Sequence, residues 1–131
     1  MSWADRYRLI PFVSMGRSFA GCDCWGLVRL IYAEELNIEL PSYGDVSAHD
    51  LAAKAAKAAT EGLRWGKVDK PQCYDVVLMR GHGTREAAHC GVIAGQNKLL
   101  HTEEQTGPIL QAIDDPAVAR RVLRIGRHPA L

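Results

Sequence analysis

The chain has 131 residues, 47% hydrophobic and 24% charged, with 16 Lys and Arg against 15 Asp and Glu for a formal net charge of +1. This length implies one domain spanning 1–131 with a single core. The balanced, interspersed charges offer no basic field for nucleic acid, and no apolar run approaches the roughly 18 residues of a membrane span.

The N-terminus, Met1-Ser2-Trp3-Ala4-Asp5-Arg6, carries charges with no apolar segment behind them and so does not read as a secretory leader. A protein made in the cytoplasm is expected, and its four cysteines are expected as free thiols rather than disulfide staples. Leu9-Ile10-Pro11-Phe12-Val13 follows, where Pro11 suits an extended segment or turn better than a helix. This leads into Gly21-Cys22-Asp23-Cys24-Trp25-Gly26, a glycine-flanked turn. Beyond it Leu27, Val28, Leu30, Ile31 and Leu36 recur at helical spacing. The spacing predicts a helix over about 24–36 that buries one side, points Cys24 outward from its first turn, and stops near Asn37 with Pro41 beyond. A loop over 41–45 is expected next. Then comes an alanine-rich scaffold helix over 51–60, with Ser47 and Asp50 at its start and Glu61-Gly62 at its end.

From about residue 74 the pattern changes to short β-rich runs at 75–79, 90–94, 98–102, 109–111 and 122–125. They are divided by Gly81-His82-Gly83, Gly95-Gln96-Asn97 and Thr106-Gly107-Pro108. This predicts an antiparallel meander, hence an α+β domain whose N-terminal helices pack against one face of the sheet.

Cys24 at a helix N-terminus meets unpaired backbone N–H groups and the positive end of the helix dipole, which favour thiolate over thiol. A small buried hydrophobe is the alternative role for such a cysteine; a nucleophile also needs a base and a group to orient that base. Of the five histidines, His89 opens one strand and His101 lies in the next. With Gly95 to Asn97 as the loop, His101 falls opposite Gly91 and diagonal to His89, within reach of an imidazole–imidazole hydrogen bond. A Cys-His-His triad of Cys24, His89 and His101 follows if that face packs on the helix N-terminus. His49, His82 and His128 receive no role. Zinc is the rival chemistry, but the sequence has neither a Cys-x-x-Cys pair nor a His-x(3-5)-His pair. No metal or cofactor is expected, and Cys22-Asp23-Cys24 lacks the spacing of a redox pair.

Pro11-Phe12 through Gly16, Asp23-Cys24-Trp25-Gly26-Leu27-Val28, Leu40-Pro41, Asp75-Val76-Val77-Leu78, His89-Cys90-Gly91-Val92 and Leu100-His101 resemble, in order and spacing, the NlpC/P60 family of papain-like cysteine peptidases. The resemblance covers nearly the whole chain. It implies a papain-like fold with Cys24 as nucleophile, His89 as base and His101 as the group that orients it. It also implies a substrate site that includes Phe12, Asp23 and Trp25. Phe12 stands where many members have tyrosine, and Met15-Gly16 replaces a common Gly-Gly. The Trp25 form looks most like the branch found in phage tail assembly and tail-tip proteins.

The activity so implied is endopeptidase cleavage of peptidoglycan stem peptides at the bond from γ-D-glutamate to the diamino acid, through an acyl-enzyme. The partners implied are the peptide substrate and phage tail proteins, with residence in a virion tail after assembly. Two other readings stand beside it. One is a structural tail-assembly part with an idle peptidase fold; the other is an amidase or acyltransferase on the same scaffold, since an acyl-enzyme can be resolved by nucleophiles other than water.

Overall fold

Val76, Val77, Leu78 and Met79 are all buried, yet successive side chains of a strand point to opposite faces. The computed structural model, which describes residues 2–41 and 65–131, shows where the two parities go. Val76 and Leu78 join Cys90, Val92 and Leu100 in the larger apolar cluster, together with Leu27, Val28, Ile31 and Tyr32 of a long helix. Val77 and Met79 join Ile93, Leu99 and Val118 in a smaller one. The sheet therefore separates two cores.

A short 3-10 helix, Trp3–Tyr7, capped by Ser2, precedes a two-stranded hairpin of β1 (Arg17–Ser18) and β2 (Gly21–Cys22). Helix α1, Cys24–Leu36, follows. The main sheet contains β3 (Gly66–Lys67), β4 (Val76–Arg80), β5 (Ala87–Ile93), β6 (Lys98–Glu103), β7 (Gly107–Ala112) and β8 (Val122–Arg127), in the order β3-β8-β4-β5-β6-β7. A four-residue helix, α2 (Pro116–Ala119), capped by Asp115, leads into β8. The described architecture is α+β. The helix expected over 51–60, its start at Ser47 and the loop over 42–45 lie outside the described residues.

The structure departs from or adds to the expected picture at three points. Strands β4 to β7 run as the expected meander, but β8 returns to pair with β4. A fully buried β4 left at an edge would expose a row of unpaired backbone groups, which β8 covers. The bidentate pair from Arg127 to the buried Asp75 carboxylate, 2.9 Å on each arm, ties the end of β8 to the start of β4. Second, a helix outside the expected N-terminal set, α2, packs on the opposite face, where Val118 joins the smaller core.

Third, α1 is not buried on one side only. Cys24 to Val28 and Leu30 to Tyr32 are all buried, because the sheet covers one flank and the β1–β2 hairpin the other. Gly26 permits the second contact: a Cβ there would stand 2.0 Å from the Gly16 carbonyl oxygen. The end of α1 is as expected, with Asn37 in the left-handed region at φ 55° and its N–H bonded to the Tyr32 carbonyl. No helix among the described residues is long and apolar enough to cross a membrane.

Candidate active site

The start of α1 is fixed by Asp23, whose carboxylate has three partners. Oδ1 accepts from the Gly26 N–H at 2.8 Å and from Arg17 Nη1 at 2.8 Å, while Oδ2 accepts from the Met15 N–H at 3.0 Å. One buried side chain thus caps the helix and pins the preceding loop to it. The next residue is Cys24, 6% exposed. Its backbone N–H is the first of the helix and has no acceptor among the described residues.

Cys24 lines a cavity of about 620 Å³ together with Phe12, Ser14, Asp23, His89, Glu103 and Arg121. Its thiol is held well below the ordinary cysteine value, chiefly by a hydrogen bond from the Cys90 thiol. Burial opposes this, and a hydrogen bond with His89 and its charge add to it. Cys90 is pushed in the opposite direction by the same bond and by burial. Cys22, two residues before Cys24, is raised to about 12 by burial and the Asp23 charge. One thiol of the neighbouring three is therefore selected as thiolate.

The histidine pair stands where the hairpin parity predicts. Val92 pairs with Leu100 and Ile93 with Leu99, a register that carries Gly91 opposite His101. A Cβ at Gly91 would fall 2.8 Å from the His101 Cβ, so glycine leaves this space to the imidazole. His89 Nε2 and His101 Nδ1 are 2.7 Å apart, and His101 Nε2 lies 2.6 Å from Gln111 Oε1. These contacts order the protons. The Gln111 carbonyl oxygen takes the hydrogen of His101 Nε2, so His101 Nδ1 is an acceptor and His89 Nε2 donates to it. His89 Nδ1 remains as the nitrogen that meets Cys24. Burial lowers the His101 pKa to about 4, with the neighbouring His89 charge adding to it, which keeps its imidazole neutral near pH 7.

The helix terminus does not lie squarely over the histidine-bearing face. Cys90 and Val92, of the opposite parity, pack with α1, and Cys24 touches both Cys90 and His89. The β4–β5 register slips just past the Met79–His89 pair, the kind of irregularity that re-aims a side chain.

Phe12 and Asp23 both line the cavity. Trp25 does not: it is fully buried and its indole N–H donates to the Pro41 carbonyl at 2.8 Å. That places it in the core rather than on the cavity wall. Three further residues belong to the site. Gln111 holds His101; on β7 it lies two residues beyond Ile109, the partner of His101, so the diagonal rule that found the histidines also reaches it. Glu103 places Oε1 3.8 Å from His101 Nδ1 and 4.0 Å from His89 Nε2, with Oε2 2.7 Å from His82 Nε2. Arg121 grips that carboxylate at 3.0 and 3.4 Å. Glu103 is lowered to about 2, since its Arg121 bonds and the neighbouring positive groups outweigh the burial that would raise it.

Ligand atoms of His89, His101 and Glu103 lie within 4.8 Å of one another, but the histidine nitrogens involved already face each other across their hydrogen bond. The donor set is arranged for proton relay: a thiolate, an imidazole with one nitrogen anchored, and an unpaired N–H at a helix start.

Known proteins share this fold. A curated relative, the Escherichia coli (strain K12) protein named Murein DD-endopeptidase MepS/Murein LD-carboxypeptidase, is 28% identical over 116 residues, 88% of this chain and 52% of that protein. The chain thus spans about half the length of this relative. Among solved structures, an NlpC/P60 family protein from Bacillus cereus ATCC 10987 superposes with a TM-score of 0.70 at 16% identity, over 95% of this chain and 37% of the other. The P60 domain of an antigen from M. avium subspecies paratuberculosis gives 0.62 at 16%, over 95% and 88%. At such identities these two likenesses speak for the fold. The model of the NlpC/P60 family matches residues 10–127, nearly the whole chain and every residue of the Cys24 site, and the chain belongs to that family.

Proposed function

We propose that this protein is a cysteine peptidase that hydrolyses peptidoglycan stem peptides through an acyl-enzyme. The observation that carries the reading is the chain of contacts from Cys24 through His89 and His101 to Gln111. The peptidoglycan substrate is supported by family membership and by the murein activities in the name of the E. coli relative.

The steps we propose use the residues of this site. The Cys24 thiolate attacks the scissile carbonyl carbon, and a C–S bond forms. The developing oxyanion is met by the Cys24 backbone N–H at the positive end of α1. The tetrahedral species collapses, the C–N bond breaks, and His89 Nδ1 passes its proton to the leaving amine. Water then attacks the thioester while His89 takes a proton from it; the acid leaves and the thiolate is restored. Throughout, His101, neutral and held by Gln111, fixes the ring of His89.

For the bond we propose that from γ-D-glutamate to the diamino acid, and for the setting a phage tail; the Asp23-Cys24-Trp25-Gly26 form supports the setting. Incubation of the purified protein with muropeptides, read by product mass, tests substrate and bond together. Cleavage at the proposed bond, lost in both Cys24→Ala and His89→Ala, is the expected result. Product masses that place the cut between diamino acid and D-alanine would move the bond. An inert protein whose Cys24 nevertheless alkylates rapidly would favour the assembly-part reading.

A further inference from the structure

Beyond the catalytic cavity lies a second one of about 850 Å³, and the two share Gly81, His82, Glu103, Gln105 and Arg121 along one edge. Their charge differs. The wall of the catalytic cavity sets Asp23, Glu103 and Glu104 against Arg121. The second gathers Arg80, Arg85, Arg120 and Arg121, with Glu103 as the one carboxylate among the described residues on its wall.

Arg121 is occupied by Glu103. Arg80, Arg85 and Arg120 have no carboxylate partner among the described residues, and the Arg80 Nε is buried without an acceptor. Three positive charges therefore surround a cavity that opens into the active site. A concave, low-dielectric wall of one sign concentrates an oppositely charged ligand.

The chemistry of the cleft says which half of a substrate would lie there. The base that protonates the leaving amine must stand beside it, so the amine-side half departs past His89. Glu103 stands 4.0 Å from His89 and is gripped in turn by Arg121, and the arginine-lined cavity continues from them. Phe12 and Ser14 line only the catalytic cavity, which leaves their end for the acyl half.

We propose that the arginine-lined cavity is an anion subsite for the amine-side half of the substrate, taking the carboxylates that this half carries. In a stem peptide these are the C-terminal carboxylate and the second carboxyl of the diamino acid where it is not amidated. The assignment rests on the reading of the cleft as a stem-peptide hydrolase. Carboxylate suits the lining because guanidinium presents a planar fork to it, the pairing that Glu103 already makes with Arg121.

The test compares two muropeptides of equal length whose amine-side carboxylates are free in one and amidated in the other. Arg85 and Arg120 are exposed and without partners to lose, so Arg85→Ala/Arg120→Ala should fold. The wild type is expected to favour the free form in kcat/KM. The double variant should shrink that preference about three- to tenfold, mostly through KM, as for two solvent-exposed ion pairs, and added salt should shrink it in the wild type as well. Equal treatment of both substrates by the wild type, or equal losses on both in the variant, would overturn the subsite.

A calorimetric titration of Cys24→Ala with a dipeptide of the diamino acid and D-alanine reads the same subsite without turnover. If the wild type hydrolyses no muropeptide, the reaction assignment falls while this titration still decides the subsite. Binding weakened by the two arginine replacements supports it; absence of binding, or binding that they leave alone, refutes it.

Discussion

The Cys24 thiol owes its acidity chiefly to a neighbour the family pattern does not announce. A helix N-terminus and an imidazole are the usual means of lowering a thiol, yet the largest influence on Cys24 is the Cys90 thiol, which donates to it from the middle of His89-Cys90-Gly91. Replacing that donor should raise the pH at which Cys24 becomes a thiolate. We expect the midpoint of iodoacetamide labelling of Cys24 to move up by about one unit in Cys90→Ala, and less in Cys90→Ser, which keeps a donor. The reading by mass spectrometry also ranks the thiols: Cys24 should label well below pH 8 and ahead of Cys22, which is buried and raised to about 12. An unmoved midpoint in Cys90→Ala would assign the acidity to His89 and the helix alone. A second expectation concerns Gln111. Gln111→Leu removes the acceptor that fixes the His101 tautomer, so turnover should fall at least about tenfold through kcat, while Gln111→Glu, which still accepts, should retain more. Equal losses in the two would mean that Gln111 only packs.

At the scale of the element, the hairpin β5–β6 is where sequence reasoning reached furthest, because a loop of known length fixes a register and a register fixes faces. That argument placed His101 opposite Gly91 and beside His89, and carried one strand further it would have reached Gln111. It could not say which side of β5 meets α1, since that depends on how a helix terminus docks against a slipped register between Met79 and Arg80. Nor could periodicity show that α1 is covered on both flanks, because the second cover is the short β1–β2 hairpin, which leaves almost no apolar pattern. The β5–β6 register, carried two residues further, sets Glu103 opposite His89, whereas Arg121, 18 residues beyond Glu103, carries no local signal. Gly91 tests the legible part. A methyl there would meet the His101 Cβ at 2.8 Å and the Leu100 carbonyl oxygen at 2.9 Å, and backbone cannot yield as a side-chain tip can. Gly91→Ala should cost about 1–3 kcal/mol in urea unfolding and lower turnover by more than tenfold through displaced histidines. A variant as stable and active as the wild type would show that the strands part more easily than the geometry implies.

Over the whole molecule, the relay imposes a pH dependence on the fold itself. His101 is fully buried, between His89, Gln111, Glu103 and the nearby Arg121, and its pKa falls from 6.5 to about 4. In the unfolded chain the same imidazole takes up a proton below about 6.5, whereas the folded site refuses it until about 4. The unfolded state thus binds more protons across that window, and stability drops as pH falls through it. The shift corresponds to roughly 3 kcal/mol when complete, a sizeable share of the 5–15 kcal/mol by which domains are typically stable. Glu103 has the same sign in a lower window: its carboxylate, lowered from 4.5 to about 2, contributes stability above about 4.5 that is lost as pH falls toward 2. The two are therefore separable. Urea unfolding at pH 7 and at pH 4.5, compared between the wild type and His101→Gln, isolates the histidine. The wild type should lose about 2–3 kcal/mol more than the variant between these values, because glutamine keeps hydrogen-bonding capacity but does not titrate. Equal losses in the two proteins would mean that His101 is protonated as readily in the fold as out of it. Its acceptor role toward His89 would then not hold in the acid range.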